Sequence, residues 1–455
     1  MLEPLYTAAE MRAAEERYPG YPNTVPELME RAGEAVADLV LEDFPDLRRI
    51  TVVCGGGSNG GDGRVAARYL ERAGCEVRIV DAKAGETDLG EPDIVVDALF
   101  GTGFTGEPRA DAAALIELIN VVDAEVVAVD LPSGVDASTG EVAGAAVEAT
   151  CTIAFHGDKV GNQVTPGAEL CGDDVVVADI GLEQLETRHR QVSGLDILEL
   201  VPRRSPRDNK YTAGSVLVVG GSRGMSGAAA LASRAAFRAD AGYVAIAAPV
   251  ESIPVLQTHV LEAVNRPLED VFEAAQRAGA LAIGPGLGRE DERRALVRRL
   301  LEETDLPAVV DADALFGLEP FSRRAPTVLT PHSGELARLL GVDSAWVDAH
   351  RLQALDRAVE AFGCVVLLKG NRTLVGAPDQ GAIVCGGWPS LATAGTGDVL
   401  TGIVGAFLAK GVDARMAAAA AATAHAHAAM AAEQHDGLVA SDVIEALPRV
   451  LRASL

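Results

Sequence analysis

The sequence predicts an α/β protein of two successive domains, each built on a mainly parallel sheet. Three observations carry this. Short apolar runs alternate with helical patterns along the chain, as β–α–β units require. Glycine- and aspartate-rich loops follow the apolar runs, at the strand ends where α/β sheets build sites. The pattern breaks once, through the polar stretch Glu186–Ser193 and the Arg-rich Pro202–Asn209, and then restarts. The chain has 455 residues, and about 150 per domain sets two or three domains. The expected division is 1–190 and 191–455.

In the first half the expected strands are Ile50–Cys54, Glu76–Val80, Ile94–Val96, Val126–Val129, Cys151–Phe155 and Val175–Ile180. Helices are expected at Gly63–Ala73 and Ala112–Asn120. The segment before them, Met1–Pro19, is amphipathic and charged and lacks the apolar core of a signal peptide. In the second half, strands are expected at Ser215–Val219, Val244–Ala247, Leu281–Ile283, Ala308–Val310, Thr327–Leu329, Val365–Leu368 and Thr373–Val375. Its helices are Gly227–Asp240, Asp291–Leu301, Gly334–Leu340, Val399–Ala409 and Ala414–Glu433. The Ala-rich last one reads as buried. Its His425 and His427 point to different faces and make a poor metal pair.

Composition limits the function. Lys+Arg number 39 against 66 Asp+Glu, a formal charge of −27. Lysine is confined to Lys83, Lys159, Lys210, Lys369 and Lys410. That argues against nucleic acid or an anionic membrane as main partner. Hydrophobic residues make up 48%, which excludes disorder. Acidic, lysine-poor composition on a folded chain suggests adaptation to high salt, where screening removes self-repulsion. Cys54, Cys75, Cys151, Cys171, Cys364 and Cys385 form no C-x-x-C pair; buried thiols in a reducing cytoplasm are expected. No strongly apolar run of 18 residues suggests a membrane span. A homo-oligomer is the expected assembly.

The chemistry lies in the loops. Gly55, Gly57 and Gly60 fit G-x-G-x-x-G between a strand and a helix, and Asp81 ends the next strand. That is a dinucleotide-binding fingerprint in form; a tight strand–helix turn is the plainer alternative. Asn59 and Asp62 add polar groups to it. Asp97–Phe104 and Asp130–Asp136 follow the next strands. Asn59, Asp97 and Ser133 would supply hard oxygens to a cation such as K⁺ or Na⁺, leaving Asp130 as a general acid/base. Any one of these aspartates alone would read as a turn or cap; three in successive loops read as a site.

The motifs G-x-x-N-G-G-D-G, D-A-L-F-G-T-G and D-x-P-S-G-x-D, with Phe155, Lys159, Gly161 and the V-A-D-I-G ending, resemble the NAD(P)H-hydrate epimerase domain (YjeF N-terminal family) over about residues 1–185. The resemblance implies a Rossmann-like three-layer sandwich. It implies that Ser58, Asn59, Gly60, Gly61 and Asp62, with Gly101, Thr102, Gly103, Phe104, Thr105, Gly106 and Glu107, hold the damaged nucleotide. It further implies that Asn59, Asp97 and Ser133 ligate one K⁺ and that Asp130 contacts the hydrated nicotinamide. Ser58 stands where the family usually has Asn.

In the second half, Gly395-Thr396-Gly397-Asp398 opens an apolar helix. Backbone N–H groups there make an anion hole, with a carboxylate placed to take a proton from a hydroxyl; a capped helix start is the alternative. Lys369–Thr373, Gly284–Gly288, Asp311–Leu315 and Thr330–Glu335 keep it company. This set resembles the ADP/ATP-dependent NAD(P)H-hydrate dehydratase (YjeF C-terminal family), a ribokinase-like fold, over about residues 195–450. The resemblance implies that Lys369, Gly370, Asn371, Arg372 and Thr373, with Gly395, Thr396 and Gly397, bind ADP or ATP with Mg²⁺. Ala241, Gly286 or Gly288, His332 and Asp398 would then face the hydrate. Trp388, Ser390 and Ala394 replace the family's Asn, Gly and Gly, and Asp240 stands at a usual Gly. Ala394 would be strained if it needed positive φ. The expected protein is a bifunctional repair enzyme acting on NAD(P)H hydrate and an adenine nucleotide. A ribokinase-like small-molecule kinase and a non-catalytic nucleotide-binding scaffold are the rivals.

Overall fold

The computed structural model describes residues 2–434 and 436–453. Its contacts divide the chain into two units. One holds Pro4–Arg190 and Asp348–Arg351; the other holds 191–347, the chain from Leu352 onward, and residues 2–3.

The first unit carries a six-stranded sheet in the order Glu76–Asp81, Arg49–Cys54, Ile94–Ala98, Glu125–Val129, Cys151–Phe155, Asp174–Ala178. All its pairings are parallel. The central strands are nearly continuous apolar runs because both faces are covered. Ile50, Val52, Ile94 and Val96 face one core with Val36, Val40 and Leu70. Val53, Val95 and Val126 face the other with Leu115, Ile116 and Ile119 of the helix Ala110–Val121. The result is the three-layer sandwich expected.

Three local features differ from expectation. The helix after Arg49–Cys54 runs over Ser58–Arg72, with Gly57 as its N-cap, so Ser58–Asp62 are helical rather than a loop. Asp81 is not left for a ribose: it pairs with Arg64 at 2.8 Å and accepts the N–H of Lys83 at 2.9 Å. The helix Val25–Asp43 was not expected. Pro26 opens it, and Leu28, Ala32, Val36 and Val40 bury one stripe of it.

The second unit carries most of an eleven-stranded sheet, whose strands Leu2–Leu5 and His189–Val192 each have two residues that the division assigns to the first unit. Its order is Leu2–Leu5, His189–Val192, Gln380–Gly386, Arg372–Ala377, Val365–Leu368, Thr327–Leu329, Ala308–Val310, Ala280–Ile283, Ser215–Val219, Tyr243–Ala248, Val264–Pro267. Strands from Val365–Leu368 to Val264–Pro267 are parallel; Arg372–Ala377 and Gln380–Gly386 add an antiparallel hairpin. Helices Ser226–Arg238, Thr396–Ala409 and Ala414–Met430 share one core. The Ala-rich helix is buried along nearly its whole length, as its mainly apolar surface requires. The polar stretch Glu186–Ser193, expected as a break, contains the strand His189–Val192. Outer strands need backbone pairing more than apolar side chains, so composition did not reveal it.

Candidate functional sites

In the first unit, loops at the carboxyl ends of three adjacent strands converge on a cavity of about 580 Å³. Of the residues the sequence nominates, Ser58, Asn59, Asp62, Gly101, Thr102, Gly103, Phe104 and Asp130 line it. Gly60 and Gly61 lie beneath. A Cβ on Gly60 would sit 2.0 Å from the Gly55 carbonyl oxygen, so only glycine lets the turn close. Thr105, Gly106 and Glu107 are not among the lining residues.

Asp97 is fully buried at the centre of the loops. Ser133 donates to it from its hydroxyl (2.7 Å) and its N–H (2.8 Å). The Phe100 N–H donates to Ser133 Oγ at 2.8 Å, and Asn59 Nδ2 donates to the Phe100 carbonyl at 2.8 Å. Burial pushes the Asp97 carboxyl up to about 6, against the hydrogen bonds from Ser133 and Leu99. No ion-pair partner of Asp97 is found among the described residues. A buried carboxylate beside a hydroxyl, an amide and a backbone carbonyl is a hard-oxygen set. The donor set of Asn59, Asp97 and Ser133 therefore fits a K⁺ chemically.

Asp130 has φ 73°, a conformation Asp tolerates better than most residues. Its N–H donates to the Ile153 carbonyl at 2.7 Å, and its carboxylate forms an ion pair with Lys159. The Lys159 side chain is fully buried, and its Nζ also donates to the Phe155 carbonyl at 2.8 Å. Sequence reasoning named Lys159 without giving it a role. It also missed Arg12 and Glu15, which the amino-terminal helix Ala8–Glu16 brings to the cavity.

In the second unit, Gly395 takes φ 91° as N-cap of the helix Thr396–Ala409. The strain expected at Ala394 does not arise, because Gly395 carries the left-handed turn and Ala394 is not among the positive-φ residues. Lys369 Nζ lies 2.8 Å from Asp311 and 3.7 Å from Glu335. It is also 3.5 Å from where a Gly397 Cβ would be. Thr401 donates to the other Asp311 oxygen at 2.6 Å. Burial works against the Lys369 ammonium, but Asp311 and Glu335 outweigh it and hold its pKa high. Burial, then Asp311, push Asp398 up to about 7, with Lys369 pulling the other way. A helix N-terminus, an ammonium and a carboxyl group of raised pKa thus stand together. Gly370 and Thr373 form the turn beside them, with Thr373 Oγ1 donating to the Gly370 carbonyl at 3.1 Å. Asn371 sits in this turn, and Arg372 opens the strand.

His332 caps the helix Ser333–Leu340, its Nδ1 accepting the Gly334 N–H at 3.0 Å. The Gly288 N–H donates to Asp313 at 3.0 Å. Gly286, φ 59°, approaches so closely that its Cβ would sit 2.5 Å from the Met225 carbonyl and 3.3 Å from Ala228.

Ala241 is a correction. It precedes the strand Tyr243–Ala248, which runs parallel to Ser215–Val219, and so lies at the amino-terminal edge of the sheet. Its neighbour Asp240 pairs at 2.8 Å with Lys410, the C-cap of Thr396–Ala409. That helix is roughly 20 Å long at 1.5 Å per residue, which separates Ala241 from Asp398. Ala241 is 1% exposed and serves the core. Asp240, φ 69°, has the left-handed backbone of the glycine it replaces and is held by Lys410 and by Arg204 at 2.7 Å.

The family model for NAD(P)H-hydrate dehydratase matches residues 216–449. The model for the YjeF-related protein N-terminus matches 25–88 and 81–161. The bifunctional NAD(P)H-hydrate repair enzyme Nnr of Moorella thermoacetica is 39% identical, covering 98% of this chain and 96% of the relative. The chain belongs to this family of bifunctional NAD(P)H-hydrate repair enzymes. The Nnr enzyme of Escherichia coli is 35% identical, covering 94% of this chain and 90% of its own length. That of Salinibacter ruber is 35% identical over 98% and 96%. Among solved structures, the ADP/ATP-dependent NAD(P)H-hydrate dehydratase of Bacillus subtilis, co-crystallised with ATP/Mg²⁺, is 30% identical with a TM-score of 0.53. It covers 57% of this chain and 96% of its own. As a member of this family the chain is an epimerase joined to an ADP/ATP-dependent dehydratase, the second on a ribokinase-like fold.

Proposed function

We propose that residues 1–190 interconvert the R and S epimers of NAD(P)H hydrate at Asp130, and that residues 191–455 dehydrate the S form at Asp398 at the expense of ADP or ATP. The observation that carries this is Asp398 at the anion hole beside Lys369. Asp398 takes the proton of the C6 hydroxyl as its oxygen attacks the terminal phosphoryl group. Phosphate then leaves C6 and a proton leaves C5, restoring the dihydronicotinamide. Lys369, Gly397 and the N–H groups of the helix start hold the phosphate charge; Mg²⁺ arriving with the nucleotide would neutralise more of it. The turn Gly370–Thr373 holds the rest of the nucleotide, and Gly286 and His332 face the hydrate.

In the first unit, N1 expels the C6 hydroxyl and water returns on the opposite face, Asp130 moving the proton. Asn59, Asp97 and Ser133 would hold a K⁺, whose charge would compensate the buried Asp97 and fix the loops. Ser58, Asp62 and Gly101–Phe104 surround the nucleotide. The protein works in the cytoplasm as a homo-oligomer on small molecules, with neither nucleic acid nor membrane as partner. No described helix is long and apolar enough to cross a membrane.

The test is one mixture: both epimers of NADH hydrate with protein, ADP, Mg²⁺ and K⁺. Full return of NADH is expected. A stable phosphorylated product would mark a small-molecule kinase instead. NADH return limited to the S fraction would leave the first unit as a binding scaffold.

A further inference from the structure

The first cavity holds more carboxyl groups than one proton shuttle needs. Asp62, which starts the second turn of Ser58–Arg72, is 9% exposed and lines the cavity with Asp130 and Glu15. Asp130 has Lys159 as counter-charge. The Asp62 carboxyl has no ion-pair or hydrogen-bond partner among the described residues. Buried carboxyls that share a space cannot all ionise cheaply. Burial, then Asp130 and Glu15, push Asp62 well above the usual carboxylate range. Burial and then Asp130 also raise Glu15.

An acidic pocket is a poor choice for a polyanionic nucleotide unless the reacting ring becomes cationic. Inversion at C6 makes it so, because expulsion of the hydroxyl by N1 leaves an iminium ion. We propose that Asp62 is a second catalytic carboxyl of the epimerisation, the acid that protonates the departing C6 hydroxyl, while Asp130 takes the proton of the water that adds to the other face. This rests on the epimerase reading of the first unit. The C6–O bond breaks with its electrons on oxygen, which takes the Asp62 proton and leaves as water; the N1 lone pair forms N1=C6. A second water then bonds to C6, the N1=C6 pair returns to nitrogen, and the extra proton goes to Asp130. Asp62 ends as the carboxylate and Asp130 as the acid, so the reverse reaction runs with the roles exchanged. Solvent exchange resets the pair.

The charged groups facing Asp62 are Asp130 and Lys159 on one side and Glu15 and Arg12 of Ala8–Glu16 on another. Helix Val25–Asp43 faces the cavity with Val25, Leu28, Met29 and Ala32, none charged.

The test feeds isolated R hydrate to the whole enzyme with ADP, so that NADH appears only after inversion. S hydrate given to the same preparation reports the second unit separately. Asp62→Asn should slow inversion about 10²–10⁴-fold, with KM little changed. Wild-type kcat/KM should fall on the alkaline side as Asp62 loses its proton, and this limb should vanish in D62N. Glu15→Gln removes a negative neighbour and should move the limb to lower pH. Asp62→Glu keeps a carboxyl and should recover part of the rate, with the limb. A D62N enzyme of wild-type kcat, or one altered in KM alone, overturns the proposal. Should D62N fail to fold, an active D62E without an alkaline limb overturns it equally. A wild-type protein that recovers NADH from S hydrate but never inverts R hydrate overturns the epimerase reading itself.

Discussion

A carboxylate at a helix N-terminus is ordinarily kept ionised by the helix dipole. Asp398 is displaced the other way, to about 7, because burial and Asp311 outweigh Lys369. That value suits a base operating near neutrality. Under the proposed function Asp398 is a base and must be ionised, so S-hydrate dehydration should fall as pH drops through about 7. Asp398→Asn should cost about 10²–10⁴-fold and leave inversion of the epimers untouched. Equal loss of both activities in folded protein would contradict two separate sites. The raised pKa has a stability consequence of opposite sense. An acid whose folded pKa is raised favours folding when protonated and loses that contribution as pH climbs from its unfolded value to about 7. D398N should therefore melt higher than wild type at pH above this range, a difference that scanning calorimetry would read and that should shrink in acid. Lys159 is the converse case. Its fully buried ammonium has Asp130 as counter-charge, so Lys159→Met should destabilise the first unit by about 3–5 kcal/mol, the usual cost of a buried charge left alone. A melt within error of wild type would show that water or a cation replaces the pair.

The helix Thr396–Ala409 must approach Ser226–Arg238 closely enough to hold the anion hole in place. A Cβ on Gly402 would sit 2.1 Å from the Ala232 carbonyl oxygen. Gly402→Ala gains about 1 kcal/mol of helix propensity but forces backbone apart, and overpacking typically costs about 1–3 kcal/mol. The backbone contact should win: the melting temperature should fall and the KM for ADP rise. An unchanged or higher melting temperature would mean that the helices separate without cost. The same contrast explains what was legible beforehand. Strands such as Cys151–Phe155 and Ser215–Val219 are continuous apolar runs buried on both faces, and such runs announce themselves. Leu2–Leu5 and His189–Val192 lie at one end of their sheet and carry mixed residues, so only pairing reveals them. Asp97, Asp130 and Asp398 were readable because polar groups at strand ends and helix starts bring their own chemistry. The place of Ala241 was not legible, because alanine beside glycine has no chemistry of its own and only its position on the sheet assigns it. Glu15 reaches the first cavity by helix packing, which no spacing in the sequence encodes.

At the scale of the whole molecule, charge dominates. A formal charge of −27 repels itself strongly at low ionic strength, where the Debye length is about 30 Å at 0.01 M. In molar salt it falls to about 3 Å, and repulsion between surface carboxylates is largely screened. Few lysines are available to offset it. Lys159 and Lys410 are buried against Asp130 and Asp240, and Lys369 serves Asp311. Surface arginines do form pairs, such as Arg299 with Glu303 at 2.8 Å, but exposed pairs contribute little. Melting temperature and activity should therefore both rise from millimolar to molar KCl. K⁺ would act in two ways: as a screen, and as the ion beside Asn59, Asp97 and Ser133. Substituting a bulky organic cation at equal ionic strength separates them. Screening depends on ionic strength alone, so the melting temperature should largely persist. Asp97 and Ser133 are buried and hold their oxygens 2.7 Å apart, too tightly for such a cation, so inversion of R hydrate should fall while dehydration of S hydrate continues. A melting temperature flat or falling across the KCl series would defeat the salt-adaptation prediction. Inversion that persists in the organic salt would remove K⁺ from the first site.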